Sequence, residues 1–281
     1  MCYYDKDINQ SVNLLNDYVD ILENLWKNNL TKTDIKDHIP LKIHWIWLSK
    51  NINDNTFYSL LKFKDLINSW FKFNPNCEFH LWTNYNSLEI SLNKNIFLHK
   101  HDELQEKYPI LSNVVKTHPN VGIRSDILRM LILNEYGGLY CDINDTECFR
   151  SLENELKKYS FIAGLEPNLM INNAIVGSVA NGKIIVRFIK YLEYITDTLN
   201  DFSWSFNTDL SKDNIEKRII NQTGPVQLTK IVYGCLIDKC DNVMIYPSKF
   251  LYTNFQVNNR PQNTWLLPIS FTGHNDNKSF L

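Results

Sequence analysis

The 281-residue chain lacks an excess of either charge: 29 basic against 31 acidic side chains leave a formal net charge of -2. That balance gives no electrostatic case for a nucleic-acid partner. It also lacks an apolar run long enough to cross a bilayer. Met1 to Gln10 shows no basic-then-apolar layout of a secretory leader, so the expected location is cytoplasmic, as a resident enzyme or as an effector delivered to a host cell. Paired cysteine spacings are missing too. The six cysteines are scattered and read as reduced core thiols, neither a disulfide framework nor a metal knuckle. No repeat is apparent. Sequons such as that at Asn221 are expected by chance in a chain rich in asparagine. What remains, 44% hydrophobic and 21% charged residues, is ordinary for a soluble globular enzyme.

The most informative stretch runs from Val121 to Phe149, VGIRSDILRMLILNEYGGLYCDINDTECF. Ile123, Ile127, Leu128, Leu131 and Ile132 recur at helical spacing and predict a helix with one broad buried face. Gly137-Gly138 stops it, because glycine accepts the left-handed backbone of a helix end. Leu139-Tyr140-Cys141 reads as a short buried strand that ends in Asp142-Ile143-Asn144-Asp145. Clustered carboxylates at the end of a buried strand call for a neutralising partner. Alternation places Asp142 and Asn144 on one side, and oxygen donors there suit a hard cation such as Mg²⁺ or Mn²⁺. Taken alone, a polar turn accounts for the same four residues.

Around this stretch the chain alternates strands and helices. Leu41–Trp47 is a strand by its β-branched and aromatic content. Phe57–Phe73 is a helix ended by Pro75, and Cys77–Trp82 is the second strand. This βαβ spacing implies a parallel sheet with helices on its faces. Trp47 falls at a strand's C-terminal end, where open α/β sheets bind ligands, and can stack on a base or fill core. His44 reads as a core histidine. Residues 85–118 read as helix and loop. Phe161–Gly164 and a buried run from Asn172 follow, then an amphipathic helix over Ile184–Leu199 and a weakly patterned stretch, Asp201–Asn221. Thr223 reads as the cap of a helix with Pro225 in its first turn, the alternative being a site role for the turn's backbone amides near a phosphate. Near the start, Ile8, Val12, Leu15, Val19, Leu22 and Leu25 share a helical face. The opposite face carries acids, which disfavours membrane contact. The division expected is 1–38, an N-terminal helical extension, and 39–281, a catalytic domain.

Ser125-Asp126-Ile127-Leu128-Arg129 followed by Gly137-Gly138-Leu139-Tyr140-Cys141-Asp142-Ile143-Asn144 resembles the DXD region of glycosyltransferase family 32, which includes yeast-type initiating mannosyltransferases and shares its pattern with clostridial glucosylating toxins. The segments at Ile39–Trp47, Asn74–Asn84, Thr223–Thr229 and Phe271–Phe280 resemble further pieces of that family, in its order. Asn144 stands where the second acid is usual, Asn84 where an Asp is, and Phe280 where a Trp is.

The resemblance implies a GT-A type Rossmann-like α/β sheet with flanking helices. It further implies a metal-dependent retaining transfer of a hexose or N-acetylhexosamine from a nucleotide-sugar, UDP-linked in toxin-like relatives and GDP-mannose in yeast-like ones, to a protein or glycan. It assigns Asp126, Arg129 and Asp142 to catalysis and donor binding. It adds Trp47, Tyr140, Asn173 (with Asn172 the alternative) and Ser279 to the donor site, with Arg124 a second candidate phosphate partner. It assigns the metal, Mn²⁺ or Mg²⁺, to Asp142, Asn144 or Asp145, and His274. The alternative is a catalytically weakened module that binds nucleotide-sugar or glycan. A phosphohydrolase needs more converging carboxylates or histidines than the sequence offers.

Overall fold

Strand β1, Lys42–Trp47, and strand β2, Glu78–Thr83, form from β-branched and aromatic runs and pair in parallel across helix α1, Lys64–Phe73. The computed structural model describes residues 19–27, 37–49, 60, 63–85, 96–144, 146–166, 169–200, 219–240, 242–251 and 272–274. Strand β3, Ile96–Lys100, pairs in parallel with β2. It lies where the sequence suggested only helix and loop, at the sheet's edge, with Phe97 and Leu98 both exposed. A strand that buries neither face carries no period-two signal.

Helix α2, Pro109–Thr117, leads into helix α3, Val121–Tyr136. The Asn120 side chain caps α3 by accepting from the Ile123 amide at 3.1 Å. The helix is buried almost all round, Arg124, Asp126 and Arg129 included. It is a core helix, not the one-faced helix that its apolar spacing suggested. Gly137 and Gly138 end it with φ of 62° and 100°. A Cβ on Gly138 would stand 2.7 Å from the Lys42 carbonyl, so only glycine lets β4, Gly138–Cys141, pass so close to β1.

Strands β5, Thr146–Cys148, β6, Phe161–Leu165, β7, Ile171–Ser178, and β8, Val243–Tyr246, complete a seven-stranded sheet and start a smaller one. The large sheet has the order β3-β2-β1-β4-β7-β6-β8. Only β7 runs antiparallel to its neighbours. Helix α4, Lys183–Tyr194, breaks at Ile195 before a short turn of helix, Thr196–Asn200, instead of running on to Leu199. Helix α5, Pro225–Ile237, packs beside α4 and β7.

Two apolar clusters cover the sheet. Residues of α2, α3, α4 and α5 pack on one face with Ile46, Tyr140 and Val176. Residues of α1 pack on the other with Ile43, Trp45, Leu139 and Ile175. The parallel pairing of β1 with β4, His44 opposite Tyr140, places Trp47 and the end of β4 at the same rim. The helix at 19–27 buries Leu22, and Trp26 Nε1 donates to the Ile245 carbonyl at 2.7 Å, so this part of the N-terminal extension packs on β8. Residues 1–18 lie outside the described residues. No helix among the described residues is long and apolar enough to cross a membrane.

Candidate active site

Three elements bring polar side chains to the C-terminal ends of β1 and β4. Helix α3 supplies Asp126 and Arg129 one turn apart, on the side facing the sheet. Strand β4 supplies Tyr140 and, just past its end, Asp142, whose amide donates to the Ala174 carbonyl at 2.9 Å. Strand β7, entering the sheet at this rim, supplies Asn173.

Arg129 is the hub. Its exposure is 1%. Its Nη2 lies 3.2 Å from Asp126 Oδ1 and 3.5 Å from Asp142 Oδ1, and Nη1 donates to the Asn173 carbonyl. Its guanidinium sits 4.4 Å from the centroid of the Tyr140 ring. A buried guanidinium that bridges two carboxylates and stacks on an aromatic ring has a fixed plane.

The two carboxylates differ. Asp126 is buried and receives donors on both oxygens. Asn173 Nδ2 donates to Oδ1 at 2.9 Å and Thr223 Oγ1 donates to Oδ2 at 2.8 Å. Burial nevertheless pushes its carboxyl up to about 6, against the pull of Arg129, Thr223 and Asn173. Asp142 lies nearer the surface, its side chain 12% exposed. Tyr140 Oη donates to its Oδ1 at 2.6 Å, and Oδ2 makes no hydrogen bond among the described residues. Burial, with the Asp142 charge adding to it, raises the Tyr140 hydroxyl well above its ordinary value, so tyrosine stays a donor to Asp142.

Asp142 opens into a pocket of about 130 Å³ lined by Trp47, Ser125, Arg129, Tyr140 and Asn144 among others. Trp47 stands half-buried on its wall, edge-on to Phe63 at 5.8 Å between ring centroids. Asp126 does not line the pocket; it sits behind Arg129. A larger cavity of about 770 Å³, at the opposite ends of the strands, is lined by none of these residues.

The structure corrects two expectations. Arg124 is no phosphate ligand in this arrangement: its Nε donates to the Val115 carbonyl at 2.6 Å and Nη1 to the Ser49 carbonyl at 3.2 Å. Asn84, at the family's Asp position, clamps the same Ser49 backbone through two bonds of 2.9 and 2.8 Å. Together they fix the chain leaving β1. Thr223, read as a helix cap, caps nothing: Gly224 is the N-cap of α5 and receives no side-chain bond, while the threonine hydroxyl goes to Asp126. His44 is the core histidine expected. It contacts the Gly137 carbonyl at 3.0 Å and accepts from Trp82 Nε1 at 3.3 Å, and burial lowers its pKa well below the usual imidazole value.

Of the expected metal ligands, Asp142 and Asn144 line the pocket. Asp145 lies outside the described residues, as does the expected donor-site residue Ser279, and of His274 only the backbone is placed. It belongs to strand β9, Thr272–His274, which pairs antiparallel with β5 so that His274 stands opposite Thr146. The C-terminal segment therefore returns to the end of the acidic turn. Thr146 also donates its hydroxyl to the Asp142 carbonyl oxygen, which ties β5 to the same turn. Among the described residues no three acid, histidine or cysteine side chains converge on a metal position. The donor set that does meet at the pocket, a carboxylate with a free oxygen beside Asn144, is oxygen-only and fits a hard divalent cation.

Residues 61–162 match the family described as the glycosyltransferase sugar-binding region containing DXD motif. Two curated yeast proteins (Saccharomyces cerevisiae) are similar. Mannosyl phosphorylinositol ceramide synthase SUR1 is 26% identical over 56% of this chain and 35% of its own length. Mannosyl phosphorylinositol ceramide synthase CSH1 is 30% identical over 32% of this chain and 24% of its own. The chain thus matches about a third or less of either relative. Among solved structures, the ligand-free glycosyltransferase domain of the YGT toxin superposes with a TM-score of 0.50 at 11% identity, covering 75% of this chain and 80% of that one. The fold is the GT-A type α/β sheet, as the motifs implied, and the family resemblance holds over the central motif.

Proposed function

We propose that this chain, which carries a DXD-type glycosyltransferase sugar-binding region on a GT-A fold, is a metal-dependent retaining glycosyltransferase that moves a hexosyl group from a nucleotide-sugar to a protein or glycan acceptor. The observation that carries the reading is Arg129 bridging Asp126 and Asp142 beside a pocket walled by Trp47. One buried cation thereby couples a sugar-binding carboxylate to a carboxylate at the diphosphate position.

The roles follow from the contacts. Trp47 offers a flat face for the base. Asp126, kept ionised by donors on both oxygens, accepts from hydroxyls of the donor sugar through the lone pair still open on Oδ2. Tyr140 and Arg129 hold Oδ1 of Asp142, which aims Oδ2 at the pocket. Asp142, with Asn144 or Asp145, would hold Mn²⁺ or Mg²⁺, and His274 and Ser279 would close the site from the C-terminal segment. A cation held there would supply Lewis-acid neutralisation of the departing diphosphate. UDP-sugars remain the favoured donors. The mannosyl products in the names of the yeast relatives support GDP-mannose as the second donor to test.

A panel of UDP- and GDP-sugars with Mn²⁺, Mg²⁺ or EDTA, read by released nucleotide, tests the reading. Metal-dependent release from one donor supports it. No release, together with no heat of binding for UDP or GDP, overturns it. Binding without release, with or without candidate acceptors, favours the second reading, a weakened binding module, which the Asn144 in place of an acid motivates.

A further inference from the structure

The Thr223-Gly224-Pro225 turn meets the site through a single side chain. Thr223 is fully buried at 0% exposure, and its hydroxyl lies 2.8 Å from Asp126 Oδ2 against 3.5 Å from the Ile219 carbonyl. A hydroxyl has one proton to give, and the shorter, charge-assisted contact takes it. The other two residues of the turn have backbone tasks. A Cβ on Gly224 would stand 3.0 Å from Ile220 Cα, and Pro225 opens α5. Four residues on, Thr229 Oγ1 accepts from the Ile171 amide at 2.8 Å and donates to the Pro225 carbonyl at 2.7 Å. The turn is thus fastened to β7, the strand that carries Asn173. Asp126 is cradled from two directions by elements that are themselves bonded together.

We propose that Thr223 is a positioning residue for donor-sugar selection: its hydroxyl sets the angle of the Asp126 carboxylate and so decides which sugar hydroxyls Asp126 can accept from. This rests on the donor-binding reading of Asp126. It makes the Thr223–Thr229 element part of sugar recognition, at a position that touches no substrate itself. Asn173 fixes Oδ1 alongside Arg129. Among the described residues Thr223 is the one donor to Oδ2, the oxygen left with acceptor capacity.

Thr223→Val keeps the shape and removes the donor; Thr223→Ser keeps the donor. With the donor found by the panel above, Thr223→Val should lower kcat/KM roughly 10- to 100-fold, the usual scale for a lost hydrogen bond to a charged group. Affinity for the matching sugar-free nucleoside diphosphate should stay within about twofold, because only sugar contacts are lost. Thr223→Ser should recover most of the loss. On donors deoxygenated one hydroxyl at a time, the Val penalty should vanish for the hydroxyl that Asp126 grips, a coupling that a mere folding defect cannot produce. If Thr223→Val does not fold, Thr223→Ala is read the same way. Full activity in Thr223→Val, an equal loss of nucleotide affinity, or a Ser variant no better than Val would overturn the proposal while leaving the transferase intact. A wild-type protein that neither turns over nor binds nucleotide would sink the transferase reading, and this proposal with it.

Discussion

The two carboxylates joined by Arg129 occupy opposite kinds of place. Asp126 is buried and held on both oxygens, Oδ1 by Asn173 and Arg129 and Oδ2 by Thr223. Asp142 is anchored on one oxygen and open on the other, at the pocket. A closed carboxylate holds a geometry, whereas an open one offers a coordination position. Substitutions at the open site should therefore cost turnover with little cost in stability, and substitutions behind it should cost both.

The largest expected effect is at the open site. Asp142→Ala should reduce metal-dependent nucleotide release by roughly 10³-fold, the scale on which removing a charge-stabilising group acts. The melting temperature should fall less than in Arg129→Met, because only Tyr140 and one contact of Arg129 lose a partner. Nucleotide release and thermal denaturation check the pair; unchanged turnover would remove Asp142 from the site. Arg129→Met tests the link between the two places. Removing the cation leaves two buried carboxylates facing each other, and breaking such a group costs about 3–5 kcal/mol. A urea titration should show a lower midpoint at an unchanged slope.

Acidity sharpens the contrast further. The Asp126 carboxyl titrates at about 6 in the fold against an ordinary 3.8. Its folded value is raised, so its contribution to stability is fullest below about pH 4 and is lost as pH rises through 6. The activity runs the other way. A carboxylate accepts more strongly than a carboxylic acid, so kcat/KM should fall as pH drops below about 6 while the protein does not unfold through this group. A flat profile from pH 7 to 5 would contradict an ionised Asp126 in the rate.

Much of this contrast was legible in the sequence. Helix α3, its double-glycine stop and the acidic end of β4 leave local signals, since period, left-handed glycine and charge sit within one short stretch. The partners of those residues do not. Thr223 meets Asp126 across 97 positions, and nothing near Thr223 distinguishes a helix cap from a buried donor. Arg124 has the composition of a phosphate ligand. Its work for the carbonyls of Val115 and Ser49 depends on where α2 and β1 come to lie. Strand β3, exposed on both faces, had no alternation to display. Burial all round α3 was likewise hidden, because its charged residues are neutralised by distant groups.

The smallest expected effect falls on the residue where the chain departs from the DXD pattern it resembles. Asn144 and Asp142 line the same pocket, and an amide oxygen is a weaker ligand for a hard cation than a carboxylate. Asn144→Asp adds a negative charge next to Asp142 without changing shape. If the wild-type protein holds its cation through Asp142 and Asp145, the added charge is redundant, and turnover under saturating Mn²⁺ should change less than about threefold. If the departure has weakened the site into a binding module, the same substitution should restore metal-dependent turnover from a low baseline. Asp145→Ala then reads in the opposite order, severe in the first case and mild in the second. The two variants, assayed together across a Mn²⁺ titration, decide which carboxylate completes the open end of the site.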